Sequence, residues 1–144
     1  MKNKKLKIKT QNDKAKIKKE LKNMANIVEQ KAMKIVMEYE KSKGRKPKDV
    51  SKQKCGYDIK SGDRYIEVKG VSSKRTSWIW ISNSIVRNLG KDLSNYYVYI
   101  VFNIKDNPKL KILEPDVIFK NLQIDTVFLL TAAVINRHGR EVEL

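Results

Sequence analysis

The sequence contains very little histidine and cysteine, and this scarcity excludes several kinds of catalytic site. Among its 144 residues there is one histidine, His138, and one cysteine, Cys55. A zinc site needs several such ligands, and Ser-His-Asp or Cys-His catalysis would have to use His138, which lies in the polar, turn-like segment NRHGRE. One cysteine also excludes an internal disulfide framework and fits a reducing cytoplasm. Any catalysis should therefore rest on carboxylates, lysines and a hard metal ion.

Long apolar runs are absent as well. No run approaches the ~20 apolar residues of a membrane helix, and no apolar stretch of a secretory signal follows the basic N-terminal segment MKNKKLKIKT. We therefore expect a cytoplasmic protein with no membrane partner. The apolar content of 40% is enough for the core of one ordinary domain. We predict a basic, disordered segment at residues 1–12 and a single domain at residues 13–144.

Acidic residues are few compared with basic ones. The chain has 32 lysines and arginines against 16 aspartates and glutamates, which gives a formal net charge of +16. So one-sided a charge repels itself unless a polyanion binds to it. Nucleic acid is the favoured partner, and its binding should depend strongly on salt. A surface made lysine-rich for solubility alone is the alternative.

The hydrophobic pattern predicts an α/β fold. Apolar residues recur every three or four positions from Asp13 to Lys43, which predicts one long helix. The apolar stripe of this helix is interpreted as a core face, with a coiled-coil or homodimer contact as the alternative. The other predicted elements are a hairpin at 56–70, strands at 78–82, 96–104 and 110–113, a short helix at 83–89, and at 126–136 a strand in preference to a helix. This order predicts a mixed central sheet flanked by helices.

Two tryptophans lie in the predicted strand WIWIS at 78–82. Both faces of this strand are apolar, which is typical of a central strand covered on both sides. Trp78 and Trp80 share one face and could stack on nucleic-acid bases. Packing in the core is the favoured interpretation for both.

The segment GYDIKSGDRYIEVKG, residues 56–70, brings two carboxylates together. Gly62-Asp63 suits a two-residue hairpin turn, which would pair residues whose numbers sum to 125. Asp58 would then lie opposite Glu67, with Cβ atoms about 5 Å apart. A three-residue loop would break this arrangement, but the apolar pattern opposes it.

The same strand adds an amine to the two acids. Glu67 and Lys69 should share one strand face about 6.5 Å apart along the chain, while Ile66 and Val68 point to the core. Two facing carboxylates repel unless a cation joins them, and Mg²⁺ binds a few carboxylates together with water and phosphate oxygens. Lys69 could orient the attacking water or stabilise charge on the phosphorus. The pattern indicates a metal-dependent phosphodiesterase site; an ion-pair network in which Lys60 or Lys69 neutralises both acids is the alternative.

The residues GYDIKSG…RYIEVKG resemble the PD-(D/E)xK nuclease superfamily. More closely, the chain is similar to the NO VEIN C-terminal-like domain family, a relative of Mrr-type restriction endonucleases. The resemblance runs from about Val28 to Pro115. It includes EYEKSKGRKPKDVS before the hairpin and NYYVYIVFN after it.

The resemblance implies a restriction-endonuclease-like core and a DNA endonuclease that depends on Mg²⁺ or Mn²⁺. By position, Asp58, Glu67 and the backbone carbonyl of Val68 would be metal ligands. Lys69 would be the catalytic lysine, and Glu29 would match the acid that the superfamily often has on a preceding helix.

The resemblance also implies partners, since such domains often accompany helicases or restriction systems. Lys60, Lys74 and Arg75 are the candidate phosphate contacts. Ser84 stands where an acid often opens the helix after the third strand. Two alternatives stay open, namely a nucleic-acid-binding module of the same fold that does not cut, and a protein-interaction module that docks through the long helix.

Overall fold

The structure, a computed structural model, describes residues 11–81, 93–124 and 128–144. The short helix predicted at 83–89, and Ser84 within it, lie outside the described residues, as does most of segment 1–12. The helices are α1 (Gln11–Ser42), α2 (Pro115–Asn121) and α3 (Ala132–His138). The strands are β1 (Pro47–Asp49), β2 (Ile59–Ser61), β3 (Arg64–Gly70), β4 (Trp78–Ile81), β5 (Tyr96–Phe102), β6 (Lys109–Leu113), β7 (Gln123–Ile124), β8 (Phe128–Thr131) and β9 (Arg140–Val142).

Helix α1 confirms the long helix predicted from the apolar repeat. Only its C-terminal half packs fully into the protein, where Ala32, Val36 and Tyr39 are buried. Every position from residue 11 to residue 27 is exposed. The apolar stripe of this half of the helix is therefore not covered by the rest of the protein. Gly44, at φ +74°, follows the helix in a left-handed conformation that favours glycine. None of the helices in the described ranges is both long and apolar enough to cross a membrane.

The central sheet is mixed and has six strands in the order β1-β2-β3-β5-β6-β9. Strands β3 and β5 are parallel, and the other neighbours are antiparallel. Helix α1 packs on one face of the sheet through the first core cluster. A second core cluster covers the other face with residues from α2, α3 and β4. The prediction of an α/β fold with a mixed sheet flanked by helices is confirmed.

Strand β4 belongs to a second sheet, in the order β4-β8-β7, and is not a central strand of the first one. Ile79 and Ile81 are buried on its inner face, whereas Trp78 and Trp80 are 54% and 52% exposed on its outer face. The predictions of a central strand and of core-packed tryptophans are therefore wrong. A run of apolar residues does not identify which of its two faces is covered, because both faces satisfy the same pattern.

Three other segments differ from the predictions. The strand favoured at 126–136 ends at Thr131, whose hydroxyl accepts a hydrogen bond from the Val134 N–H (3.4 Å) and caps α3. The polar connection at 45–55 contains β1, which pairs with β2. The segment around His138 forms the end of α3 rather than a turn, and the histidine is exposed there.

Candidate active site

The hairpin of β2 and β3 has the register predicted from its turn. Gly62 adopts φ +59°, a left-handed conformation that glycine adopts without strain. The paired residues are Ile59↔Ile66, Lys60↔Tyr65 and Ser61↔Arg64, and the numbers in each pair sum to 125. The side chains of Ile66 and Val68 lie on the face of the sheet that α1 covers, as expected from the strand alternation.

Asp58 departs from this register through a local bulge. Its N–H donates to the carbonyl of Ile66 (2.9 Å), although Ile66 already pairs with Ile59. Two residues of one strand thus face one residue of the other, an arrangement that redirects the side chain of the extra residue. The Asp58 carboxylate accepts a hydrogen bond from the Val68 N–H (2.8 Å) instead of continuing the ladder opposite Glu67. The carboxylate is thereby fixed against the middle of β3.

The Val68 carbonyl faces the same edge as Asp58. In a β-strand the N–H and C=O of one residue point to the same side, and the Val68 N–H points to Asp58. The pairs between β2 and β3 stop at Ile59↔Ile66, so β3 extends past its partner strand here. A backbone carbonyl and a carboxylate consequently lie together where β3 passes the end of β2.

Glu67 lies on the opposite face of β3 from Val68 and is only 7% exposed. Its Oε1 is 2.6 Å from the Nζ of Lys69, two residues along the same strand face. Burial raises the pKa of Glu67, the nearby charges of Asp58 and Glu29 raise it further, and Lys69 opposes the rise. The net shift is upward, so one ion pair does not fully offset the burial of this carboxylate.

Asp58 is also harder to ionise than an ordinary aspartate. Burial is the main cause of its raised pKa; the Val68 N–H and the charge of Lys69 oppose the rise, while Glu29 and Asp49 contribute to it. Together, Asp58, Glu67, Glu29 and Lys69 thus form one electrostatic cluster. In the described ranges no group of three or more His, Cys, Asp or Glu side chains is arranged to hold a metal ion. A metal ion at this cluster would need backbone or solvent oxygens as well.

A cavity of about 470 Å³ opens beside the cluster. This volume is within the usual range for ligand pockets. It is lined by Met24, Ala25, Val28, Glu29, Asp58, Val68, Lys69, Gly70 and Ser72. Helix α1 can form one wall because Gly70 has no side chain: a Cβ there would lie 2.9 Å from both Cγ1 and the carbonyl oxygen of Val28. The close approach places Glu29 at the cavity.

A second buried glutamate, Glu40, shows what a fully compensated carboxylate looks like in the same protein. Arg45 donates to both of its oxygens (2.5 and 2.8 Å), Ser61 donates to Oε2 (2.8 Å), and the hydroxyl of Tyr99 donates to Oε1 (2.7 Å). Burial alone would raise the pKa of Glu40, but these hydrogen bonds outweigh it and the pKa is lowered. Glu40 therefore has a structural role, joining the end of α1 to β2 and β5.

Tyr96 is a residue near the site that sequence reasoning missed. It begins β5 next to Tyr65 of β3, on the face that Glu67 shares. Its hydroxyl is fully buried and has no hydrogen-bond partner among the described residues. Burial and the charges of Glu67 and Asp58 raise its pKa well above the ordinary value. The only available signal was its position at the start of a strand parallel to β3, and that pairing is not visible in the sequence.

The candidate phosphate contacts are not gathered at the cavity. The Lys60 Nζ lies 3.6 Å from the centroid of the Tyr65 ring, in a cation–π contact. Lys74 and Arg75 are exposed in the loop between β3 and β4. Lys74 lines a different cavity, of about 360 Å³, together with Lys109 and Lys111.

Comparisons with known proteins identify the family. A search of curated proteins and a search of solved structures each found no match. A family model described as "Protein NO VEIN, C-terminal" matches residues 28–113, which include the second half of α1, the hairpin and strands β4 to β6. The match covers more than half of the chain and includes all four residues of the electrostatic cluster, Glu29, Asp58, Glu67 and Lys69. The chain therefore belongs to the family of the NO VEIN C-terminal domain.

Proposed function

We propose that the protein is a Mg²⁺-dependent DNA endonuclease of the PD-(D/E)xK type, related to Mrr-type restriction endonucleases, with Asp58, Glu67 and Lys69 at its centre. The observation that carries the proposal is the state of Glu67. It is a buried carboxylate with a raised pKa, held on β3 near Asp58, whose pKa is also raised. Glu67 does not itself line the cavity, but Asp58 and its ion-pair partner Lys69 do. Perturbed acids beside a cleft favour a functional over a structural role. Glu40, whose pKa is lowered by a complete hydrogen-bond shell, supplies the internal comparison.

The donor set suits Mg²⁺ or Mn²⁺. Asp58, Glu67 and the Val68 carbonyl would hold the ion, and water and phosphate oxygens would complete its shell, as is usual for Mg²⁺. Burial is the main cause of the raised pKa of both acids, and a cation bound between them would favour their ionised forms. When bound, the ion would supply positive charge opposite a phosphate oxygen.

The residues of the chain would position the substrate and the water. Lys69 lines the cavity and keeps its ammonium 2.6 Å from Glu67, so it can donate to a phosphate oxygen or hold a water there. Glu29 lines the same cavity from α1. DNA would be attracted by the net charge of +16, with Lys74 and Arg75 as phosphate contacts. Lys60 would have to leave the Tyr65 ring to join them.

Cleavage of supercoiled plasmid in Mg²⁺ or Mn²⁺ tests the proposal. We expect Glu67→Gln and Lys69→Met each to lower the cleavage rate at least about 100-fold, as is usual when a transition-state contact is lost. Glu38→Gln and Lys34→Met are matched controls, because this Lys–Glu pair is exposed on α1 with 4.0 Å between its charged atoms. Equal cleavage by the wild type and the site variants would refute the assignment.

Metal binding can be tested without activity. An ion that binds only the folded state stabilises it by about 1.4 kcal/mol at a tenfold excess over Kd. Mg²⁺ should therefore raise the Tm of the wild type and of Glu38→Gln, and should leave the Tm of Glu67→Gln nearly unchanged. An equal rise in all three proteins would contradict a metal site at Glu67.

A second candidate function is nucleic-acid binding without cleavage. The ion pair of Lys69 with Glu67 favours it, because the ammonium already occupies part of the position where a metal would compensate the acid. This function predicts salt-sensitive DNA binding that is unchanged in Glu67→Gln, with no cleavage and no rise of Tm in Mg²⁺. The absence of any DNA binding at low salt would contradict both candidates.

A third candidate, a protein-interaction module, is favoured by the exposed apolar residues of α1. These are Ile17, Leu21, Met24 and Ile27. These side chains would be covered in a homodimer or in a complex with a helicase or restriction-system subunit. Either assembly would fit a cytoplasmic protein that acts on DNA. Leu21→Gln should abolish such an assembly without loss of folding. A wild-type chain that sediments as a monomer and binds no other protein would exclude this function.

A further inference from the structure

Strand β4 exposes two large aromatic residues side by side. Trp78 and Trp80 lie on its outer face at 54% and 52% exposure, while Ile79 and Ile81 between and after them are buried. The two indole rings are 6.3 Å apart between centroids and inclined by 68°. Large adjacent aromatic residues left in solvent are a common sign of a binding surface.

Basic residues precede the two tryptophans in the chain. The loop just before β4 exposes Lys74 and Arg75. Lys74 also lines the cavity of about 360 Å³ that Lys109 and Lys111 share, with Glu141 as the one acid on its wall. An anionic partner with flat apolar groups matches this combination of lysines and aromatic rings.

We infer that Trp78 and Trp80 form a stacking platform for the unpaired bases of single-stranded DNA, whose phosphates lie along Lys74 and Arg75. The inference rests on the proposed function and adds to it a contact with unpaired bases outside the candidate active site. Bases in a duplex have both faces covered by their neighbours, so an aromatic platform selects unpaired bases. The two rings meet edge to face, and each side chain is more than half exposed, so each ring keeps surface on which a base can stack.

The platform lies close to the candidate active site in the chain. Ser72 lines the cavity beside Asp58, and Trp78 follows Ser72 by six residues. Six residues span at most about 20 Å. Because α1 lines the cavity and β4 covers the other face of the central sheet, one bound strand would have to pass around the sheet to contact both.

Tryptophan fluorescence gives a direct test, because Trp78 and Trp80 are the only tryptophans in the chain. The full-length protein in EDTA, where Mg²⁺-dependent cleavage is prevented, is titrated with a 12-nucleotide oligo(dT) and with a blunt duplex of mixed sequence. We expect saturable quenching by the single strand and much weaker quenching by the duplex. Quenching that is equal for the two would overturn the inference.

Variants separate stacking from charge. Trp78→Ala and Trp80→Ala should each weaken oligo(dT) binding, measured by anisotropy of a labelled strand, at least about fivefold, in line with the usual effect of removing a stacking ring. Trp78→Phe and Trp80→Phe should retain most of the affinity, and duplex binding should change little in all four. Alanine variants with wild-type affinity for oligo(dT) would overturn the inference. The inference would also be overturned if the alanine variants kept their affinity for oligo(dT) and lost self-association instead, because the surface would then be a protein interface.

Failure of the stacking platform can be distinguished from failure of the proposed nuclease function. Glu67→Gln should keep the fluorescence quenching and lose cleavage. If the wild type does not cleave but its fluorescence is still quenched by the single strand, the platform stands and the nuclease proposal fails. If plasmid cleavage depends on Glu67 while the single strand gives no quenching, the platform is refuted alone.

Discussion

At the scale of single residues, the raised pKa of Asp58 can be tested through the pH dependence of the protein's stability. Its pKa is raised, so the folded protein keeps this proton at pH values where the unfolded chain has lost it. Ionised Asp58 therefore lowers the stability as pH rises through the unfolded value, and the loss is complete above the folded value. In EDTA, Asp58→Asn should be more stable than wild type at pH 8, by on the order of 1 kcal/mol or about 3 °C in Tm, and the gain should shrink towards pH 4.

Asparagine can still accept the hydrogen bond from Val68, so the comparison isolates the charge. The exposed Glu38→Gln is the control and should change Tm little at either pH. If Asp58→Asn were less stable than wild type at pH 8, the ionised Asp58 carboxylate would be stabilised by its surroundings, and the prediction would be wrong.

Glu40 should respond to pH in the opposite direction. Its lowered pKa means that the ionised form stabilises the fold above the unfolded value and that this stability is lost as pH falls through the folded value. Glu40→Gln should cost about 3 kcal/mol at pH 7, because it leaves Arg45 without its carboxylate, and the cost should decrease towards acid pH. Urea denaturation at pH 7 and pH 4 measures both values. A cost that grows towards acid pH would contradict the assigned role.

Residue-level reasoning predicted part of the local geometry correctly. The turn at Gly62 and the alternation of β3 are local properties, and they placed Glu67 and Lys69 together. The bulge at Asp58 is not local, because the backbone of Asp58 also accepts a hydrogen bond from Val50, next to the unpredicted strand β1. A pattern within the hairpin alone cannot contain that contact.

At the scale of elements, the approach of α1 to β3 depends on Gly70. A Cβ at this position would lie 2.9 Å from the Val28 carbonyl oxygen, which belongs to the backbone of the helix. Gly70→Ala should destabilise the protein by about 1–3 kcal/mol, as overpacking does, and should reduce cleavage by moving Glu29 away from the cavity. Denaturant unfolding and plasmid cleavage measure the two effects.

Two further variants show which atoms are responsible. Adding Val28→Ala should relieve the contact with Cγ1 (2.9 Å) and leave the contact with the carbonyl oxygen, so rescue should be partial at most. Ser72→Ala, on the same cavity wall, should have little effect on stability. Wild-type stability of Gly70→Ala would mean that the helix and the strand do not approach so closely.

Element boundaries show where sequence patterns stop being informative. The C-terminal end of α1 and the positions of β5 and β6 follow from period, glycine and turn residues, and they were predicted. The position of β4 depends on its pairing with β8, a strand about 50 residues away in the chain. Because a local pattern contains no information on that pairing, the exposure of Trp78 and Trp80 required the structure.

At the scale of the whole molecule, the net charge of +16 should give DNA affinity wherever the strand lies, so affinity alone does not locate the binding path. The salt dependence does locate it, because each phosphate contact that is lost lowers the slope of log Kobs against log[salt] by about 0.7 for single strands. Lys74→Gln should lower the slope for oligo(dT) by about this amount. Lys120→Gln, an exposed lysine 4.0 Å from Asp116 on α2, removes the same charge and should leave the slope unchanged. If the two variants lower the slope equally, the charge acts as a diffuse field; if only Lys74→Gln does, the strand follows the loop that joins the candidate active site to β4.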